Sequence, residues 1–424
     1  MVSALASDTA TAVIQRRTLR LLFATQIVSG MGVAIGSSVG ALLAAGLAGV
    51  GLSGLAQSAA VVGGALAAIP ATAIVHRRGR RPSLAAAYAV AAVGALLVVL
   101  AAVRGSLPLL FLGFFLFGGA TAANLQARYA AVDLAPPALR GRHLSLIVWA
   151  TTLGAVAGPH LAAPAGLALS PFGIPTLAAP YFFSALLFVV TGLAVCALLR
   201  PDPALVAGTA GGDGDAHRSL RAGLRAVTAR APAVLGVTAM AVGHMVMVGI
   251  MAMTPVHIRG AGHDAAHTLR IVGVVISVHI AGMYAFAPLI GWLTDRLGRR
   301  PVVFAGVALL LAACVLAGGA GYDSGRVGAG LFAVGLGWSC TMVAGSTLLS
   351  ESVPVELRAS AQGLSDLIMG LAGASAGALS GIVVAGWGYP VLALVAAIAT
   401  VPLIVLGIAT RLSSSPDPLS ASLR

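Results

Sequence analysis

Apolar runs of about 20 residues or more follow one another along almost the whole chain, broken only by short clusters of Arg, Gly and Pro. A run of that length crosses the hydrocarbon of a bilayer as one helix. In lipid only helices and closed barrels satisfy their own backbone. Twelve helices are expected, at 19–45, 52–75, 83–103, 107–132, 142–167, 178–199, 232–256, 268–293, 301–320, 326–350, 359–384 and 388–410. Charged residues make up 9% of the chain, against about 25% in a soluble domain. An ordinary soluble enzyme is excluded, and so is a disordered chain, which would be polar and highly charged. The first run, from Leu19 to about Ala45, is longer than the core of a cleaved signal peptide and reads as helix 1 of the mature chain. The expected class is an all-α integral membrane protein with the lipid bilayer as its solvent.

The basic residues narrow this further. All 25 are Arg, and Lys is absent. A phosphate-binding P-loop needs its Lys, so no ATP motor of that type is present. A Schiff-base lysine is equally impossible. Nucleic acid is not an expected partner, because the arginines sit between apolar spans and not on one soluble face. Only Arg104, Arg259, Arg270 and Arg326 fall on one side of the expected topology, and the other 21 fall on the opposite side. That bias places both termini in the cytoplasm of a cell (inner or plasma) membrane and supports an even helix count. Cys196, Cys314 and Cys340 each lie inside an apolar run with no CxxC spacing, so they read as small buried hydrophobes. His263-Asp264-Ala265-Ala266-His267 has histidines four apart, but lacks a Glu base and a third ligand, and reads as a solvated loop without metal. No cofactor is expected.

The longest polar stretch, 200–231, divides the chain into 1–199 and 232–411, with a cytoplasmic tail at 412–424. Gly211 to Asp215 is Gly/Asp-rich. From His217 to Arg230, Leu220, Leu224 and Val227 share one helical face while Arg218, Arg221 and Arg225 lie largely on another. Two readings stand: an amphipathic helix on the inner leaflet, or a flexible linker with a few charges. The halves on either side repeat each other. Arg77-Arg78-Gly79-Arg80-Arg81-Pro82 aligns with Arg296-Leu297-Gly298-Arg299-Arg300-Pro301 at an offset of 219. Asp133 with Arg140 aligns with Glu351 with Arg358 at an offset of 218. Parallel six-helix repeats about an axis along the membrane normal are a transporter plan.

With these residues the chain resembles the major facilitator superfamily. Gly291-Trp292-Leu293-Thr294-Asp295-Arg296-Leu297-Gly298-Arg299-Arg300 is similar to that superfamily's loop motif. The resemblance implies two six-helix bundles, with Asp295 acting on helix 5 by capping its dipole, and with Asp133/Arg140 and Glu351/Arg358 in the inner gate network. The first half carries Arg77, Gly79, Arg80 and Arg81 of the motif, but has His76 where Asp is expected and Thr72 where Gly is expected. The bland reading of all these charges is topology and loop solubility. Helix 5 carries Gly154-Ala155-Val156-Ala157-Gly158-Pro159, which resembles the Gly-Pro motif of drug/proton antiporters, and helix 11 carries Gly373, Gly377 and Gly381. The resemblance puts helices 5 and 11 where the bundles meet, so that small residues there would let the bundles rock. The membrane-embedded Arg of those antiporters would fall at Gly113, so that feature is missing.

The resemblance also implies a central cavity lined by helices 1, 4, 7 and 10. Helical spacing nominates Gln26, Gly30 and Ser37 on helix 1, and Thr121, Asn124 and Arg128 on helix 4. Helix 7 offers Met240, His244, Met247 and Met251, and helix 10 offers Ser339, Met342 and Ser346. Ionisable groups inside a span cost about 2.5–3.5 kcal/mol at its centre, so Asp366, His244 and His279 are the proton-coupling candidates. The expected protein is a secondary transporter, not an enzyme and acting as a monomer, that exports a small apolar or amphipathic compound against protons by alternating access. Proton-coupled uptake of a small organic solute is the alternative, which an anionic substrate on Arg128 would favour. A non-transporting membrane sensor on the same scaffold would have no need of gate charges in both halves.

Overall fold

The computed structural model describes residues 2–136, 139–208 and 216–412. Among them the regular structure is helical throughout. The first bundle holds α1 (Val2–Ala48), α2 (Val50–Arg78), α3 (Arg80–Arg104), α4 (Leu107–Ala130), α5 (Arg140–Phe172) and α6 (Ala179–Leu198). The second holds α7 (Ala231–Arg259), α8 (Ala265–Leu297), α9 (Arg299–Gly318) and α10 (Ser324–Ser352). A final helical stretch from Arg358 is interrupted at Gly388, whose φ of +82° is not helical. It therefore counts as two spans, α11 (358–387) and α12 (389–412), the latter bent at residues 399–400. Among the described residues eleven helical stretches are long and apolar enough to cross a membrane, and dividing the last at Gly388 gives twelve spans. α1 starts far ahead of the expected Leu19, because residues 2–18, although polar, hold good helix formers with no Gly or Pro to stop them.

Why the helices end where they do is visible in two glycines at the repeat positions. Gly79 (φ +92°) joins α2 to α3, and Gly298 (φ +91°) joins α8 to α9, each as a one-residue turn. A Cβ is strained at such φ, so only glycine makes this reversal without cost. The two bundles thus share the same hairpin at the same register.

The outward surfaces are apolar. Leu66, Ile69, Leu100, Leu193, Leu371, Leu379 and Ile382 are exposed. A soluble monomer does not show apolar surface on this scale; here it is the lipid-facing belt. Between helices the packing is close and small-residue driven, as expected where lipid supplies no hydrophobic driving force. A Cβ on Gly154 would run into the Ile27 carbonyl, and one on Gly158 would come within 2.8 Å of the Met31 carbonyl. The two glycines of the helix 5 motif therefore pack α5 onto α1 inside the first bundle, while Val156 and Pro159 turn their carbonyls toward α8. This corrects the expectation that Gly154 and Gly158 sit between the bundles. Pro159 ends the regular α-helix in a short 3₁₀ segment, Gly158–Leu161, because it supplies no N–H to the ladder.

The segment Ala216–Thr228 is a helix. Its Ala226 and Val227 are buried against Ala233, Val237, Leu349 and Ala361 of the second bundle, with Leu220 packed at the edge, while Leu224 faces outward. The flexible-linker reading fails for this part. Gly211 to Asp215, the side chain of Arg218 and the tail after Leu412 lie outside the described residues.

Candidate transport pathway and gates

The bundles touch on one side of the molecule only among the bonded contacts described. Ser58 Oγ on α2 donates to the Ala374 carbonyl on α11 (2.6 Å), and Ser277 Oγ on α8 donates to the Val156 carbonyl on α5 (2.7 Å). Gly54 faces Gly377 so closely that a Cβ would collide with its carbonyl oxygen, and a Cβ on Gly381 would sit 2.8 Å from the Gly51 carbonyl. These residues lie at the middle of their helices or beyond it, away from the arginine-rich loops. Beside these contacts is a partly enclosed cavity of about 80 Å³ between the bundles, with Ser37, Tyr181 and Met251 in its wall.

At the arginine-rich face the same helices are apart. Asp295 is 77% exposed, and its ion-pair partner is Arg299 on the next turn, at 3.8 Å. Asp295 is therefore not capping α5 in this conformation, contrary to expectation. Leu144 and Leu146 at the start of α5 are exposed too. The contacts between bundles given above thus lie away from the arginine-rich face, where Asp295 is exposed.

Each bundle carries its own buttress there. Arg80 donates through Nε (2.8 Å) and Nη2 (3.0 Å) to the two oxygens of Asp133, a bidentate pair, and its Nη1 donates to Gln126. Gln126 in turn donates to Thr72 (3.1 Å), and the Arg80 guanidinium lies 5.8 Å over the Tyr129 ring. At the repeat position Arg299 makes the same fork on Glu351. The acids are thus not paired with the Arg seven residues on. Arg140 Nε donates to the Ala135 carbonyl at 3.3 Å, and Arg358 is exposed. An acid at the end of one helix points along the loop edge to the N-terminus of the neighbouring hairpin, and spacing along the chain does not reveal that direction. Arg77 and Arg78 are exposed, Arg300 is half-buried, Arg296 lies 5.2 Å over the Trp292 ring, and a Cβ on Gly291 would meet open space.

One member of this cluster carries no motif. Asp202, just past α6, accepts from the backbone N–H groups of Arg80 (3.1 Å), Arg81 (2.7 Å) and Ala204 (3.0 Å). It closes the N-terminus of α3, whose Gly79 has no side chain to do so and leaves the room. An Asp followed by Pro was the available signal, since Asp is a preferred cap and Pro a preferred first helical residue. Asp202→Ala is expected to lower stability by about 1–2 kcal/mol, read as an earlier thermal midpoint of the purified protein. An unchanged midpoint would show the cap to be ornamental. Asp264 does the same for α8: the His267 backbone N–H donates to it at 2.9 Å and holds its carboxyl below its ordinary range. The His263 and His267 rings lie 4.6 Å apart in that cap, and the described residues contain no grouping of three metal-type ligands.

The cavity candidates divide into wall and core. Gln26 is fully buried, donates to Tyr88 (2.9 Å) and accepts from Thr151 (3.0 Å). Asn124 is buried and accepts from Ser29 (2.6 Å) and Tyr88 (3.1 Å). These form a satisfied network inside the first bundle, behind the wall. Gly30 is closed in by the Thr151 backbone. Met240, Met247 and Ser339 are likewise buried, with Ser339 Oγ lacking a partner among the described residues. His279 is 0% exposed, and its Nδ1 donates to the Leu331 carbonyl (2.8 Å), so it faces α10 inside the second bundle and not the pathway. Periodicity could not separate these faces, because every side of a central helix is packed on protein or faces the cavity.

What remains on the wall is compact. Thr121 is exposed, and Met251, Met342 and Ser346 are half-buried. Arg128 on α4 acts electrostatically on Asp366 of α11 and on Tyr284 of α8, and its buried Nε has no partner among the described residues. Asp366 is exposed. Deeper in, Trp338 Nε1 donates to His244 Nδ1 (3.2 Å), and Tyr284 sits edge-on to Trp338 at 5.7 Å. Tyr284 and Trp338 were not nominated from sequence; aromatics in apolar runs carry no distinguishing signal.

A family model described as Major Facilitator Superfamily matches residues 21–269 and again 264–422. The MFS-type transporter YdeG of Bacillus subtilis (strain 168) is 37% identical over 400 residues, 93% of this chain and 92% of that protein. YddS of the same organism, also an MFS-type transporter, is 36% identical, covering 92% and 89%. The riboflavin transporter RfnT of Brucella anthropi is 26% identical over 319 residues, 73% of this chain and 74% of that protein. Among solved structures, the nucleoside transporter NupG (TM-score 0.68, 16% identity, 93% of this chain and 98% of that one) and a D-xylose-proton symporter (0.66, 18%, 90% and 96%) share the fold.

Proposed function

Because this chain belongs to the major facilitator superfamily and is a multi-pass membrane transporter, we propose that it exports a small amphipathic compound in exchange for protons by alternating access. The observation that carries the reading is how the bundles meet. They touch at α2–α11 and α5–α8 away from the arginine-rich face, with one carboxylate, Asp366, exposed and within electrostatic reach of Arg128. Each charge belongs to a different bundle, so their attraction depends on how the bundles sit. Protonating Asp366 removes that attraction and shifts the equilibrium between the two closures. A wall with so few charges suits a compound that is mostly apolar.

The arginine-rich face is the cytoplasmic one in this reading, following the positive-inside bias, with both termini there. Residues 1–199 and 232–411 act as two bodies joined by 200–231, and the protein works as a monomer.

The test uses purified protein in liposomes with a trapped pH dye and an imposed gradient, challenged with cationic, neutral and anionic amphiphiles. Substrate-triggered proton flux of antiport sign, at known orientation, supports the reading. Flux of symport sign overturns export in favour of proton-coupled uptake of a small organic solute. That second reading is favoured by the unpartnered Nε of Arg128, a donor for an acceptor-rich solute. It is favoured too by the riboflavin transporter among the relatives. Absence of any flux from folded protein revives the sensor. In the same assay Asp366→Asn is expected to flatten the pH dependence of transport, and an unchanged profile ends its proton role in favour of His244.

A further inference from the structure

On the outer side of the first bundle α2 and α3 leave a slot between them, floored by α4. Leu66, Pro70 and Ile74 of α2 stand on one wall, Ala86 and Val90 of α3 on the other, and Phe115 of α4 lies behind them. The spacings of four residues keep each wall on one face of its helix. Leu66 and Val90 are exposed, and Val90 continues along α3 into the exposed Val93 and Leu100, so the slot opens to the lipid and not to the space between the bundles. Both of its ends are closed by backbone. At mid-depth α2 meets α4, where a Cβ on Gly63 would strike the Phe115 carbonyl. At the arginine-rich end the one-residue turn at Gly79 brings α2 and α3 together.

Length and chemistry select the occupant. The helix rise from Gly63 to Ile74 is about 16 Å, close to half of a hydrocarbon core of about 30 Å. The slot is therefore one leaflet deep, and the leaflet is the one next to the arginine-rich loops. The polar side chain that lines it, Ser83, is used within the protein, donating to the Ala71 carbonyl at 2.7 Å. Such a slot accepts a hydrocarbon chain and gives a polar solute nothing to bond. Directly past Ile74 on the same face of α2 come Arg77 and Arg78, three and four residues on. Both are exposed, and neither has an ion-pair partner among the described residues. Side chains on a helix lean toward its N-terminus, so these two lean back toward the mouth of the slot. The carboxylates at this hairpin are already occupied, Asp133 by the Arg80 side chain and Asp202 by the backbone N–H groups of Arg80 and Arg81. Positive charge is thus left over at the level where a phospholipid of that leaflet carries its phosphate.

We propose that the slot binds an anionic phospholipid, with one acyl chain between α2 and α3 and the phosphate on Arg77 and Arg78. Net charge makes the choice of lipid. A zwitterionic headgroup brings its own cation to the same place and gains less from two arginines. The site is independent of what the protein transports and in which direction. It bears on transport all the same, because α2 is the helix whose Gly54 and Ser58 meet α11. A chain lodged against Leu66 and Pro70 braces the other half of that helix.

The experiment uses the full-length protein in phosphatidylcholine vesicles, with the exposed Cys196 replaced by Ala. A bimane fluorophore is attached to Ile69→Cys, on the exposed rim of the slot beside Pro70. A control carries it on Val189→Cys, exposed on α6 at the same distance from its helix's end. Phosphatidylglycerol or phosphatidylcholine with brominated acyl chains is then mixed in, and quenching gives the relative occupancy of each position by the two lipids. At Ile69→Cys phosphatidylglycerol is expected to be preferred about fivefold, the worth of one arginine near an anionic surface, with little preference at Val189→Cys. Arg77→Gln combined with Arg78→Gln is expected to erase the preference. Ala86→Leu is expected to do the same, since it fills the slot from an exposed wall and leaves every charge in place; it decides the matter should the arginine variant fail to fold. Equal quenching by the two lipids at Ile69→Cys with both arginines present, or a preference that survives Ala86→Leu, overturns the proposal. Protection from both lipids, with cross-linking of two copies through Ile69→Cys, overturns it in favour of a dimer interface.

Discussion

Gly54→Val is expected to cut transport more than tenfold and to hold the pathway open on the face where α2 and α11 meet here. The site is a helix crossing between bundles, where a Cβ would strike the Gly377 carbonyl and where Gly381 already lies against the Gly51 and Gly54 backbone. Backbone cannot move aside as a side-chain tip does. Overpacking of this kind costs about 1–3 kcal/mol, and the upper end corresponds to a shift of about a hundredfold between the two closures. Each bundle's interior is untouched, so the variant still folds. The readout is Ser37→Cys, in the wall of the cavity beside these contacts, in a background where the exposed Cys196 is replaced by Ala. A membrane-impermeant maleimide added from the far face labels it in Gly54→Val and not in Gly54. Unlabelled cysteine with wild-type transport would mean that the α2–α11 crossing does not set the closure.

The second large effect is an asymmetry between two ion pairs that look alike in sequence. Asp133 and Arg80 are 7% and 13% exposed, whereas Glu351 and Arg299 are 49% and 29% exposed. Removing one partner of a buried pair leaves an uncompensated charge and costs about 3–5 kcal/mol. An exposed pair is screened and contributes about 0–1 kcal/mol. Asp133→Ala is therefore expected to lower the thermal midpoint by about 6 °C or more, taking about 2 °C per kcal/mol for a unit near 200 residues. Glu351→Ala is expected to move it by no more than about 2 °C. Arg80→Ala in the Asp133→Ala background should recover part of the loss, since no lone charge remains. Equal shifts for the two acids, at matched scan rate, would show that burial does not separate them.

The two halves differ more than their shared motifs suggest. At the repeat offset of 218, the network residues Ser29, Asn124 and Thr151 are answered by Met247, Met342 and Met369, and Gln26 by His244. The first bundle is thus held by polar bonds among α1, α3, α4 and α5, while the second is packed with flexible thioethers that adapt to what lies against them. This pattern is written in the chain, but it has meaning only once the network is seen to be closed on itself.

Fold class, the apolar spans and the repeat between the two halves are properties of the sequence alone, whereas the loops expected at 76–82 and 294–300 shrink to single-residue turns at Gly79 and Gly298. The former follow from local rules: the length of an apolar run against the thickness of a bilayer, and the placement of Arg between runs. Tertiary structure decided which way each side chain looks. Gln26, Met240, Met247 and His279 have the same helical spacing as wall residues and turn out to be core. Asp133 reaches back to Arg80 rather than on to Arg140, Asp202 caps a helix more than a hundred residues earlier, and Gly154 and Gly158 pack on α1 rather than between bundles. Central helices have no solvated side to break their symmetry, so hydrophobic periodicity cannot orient them; only the neighbour that fills each face does.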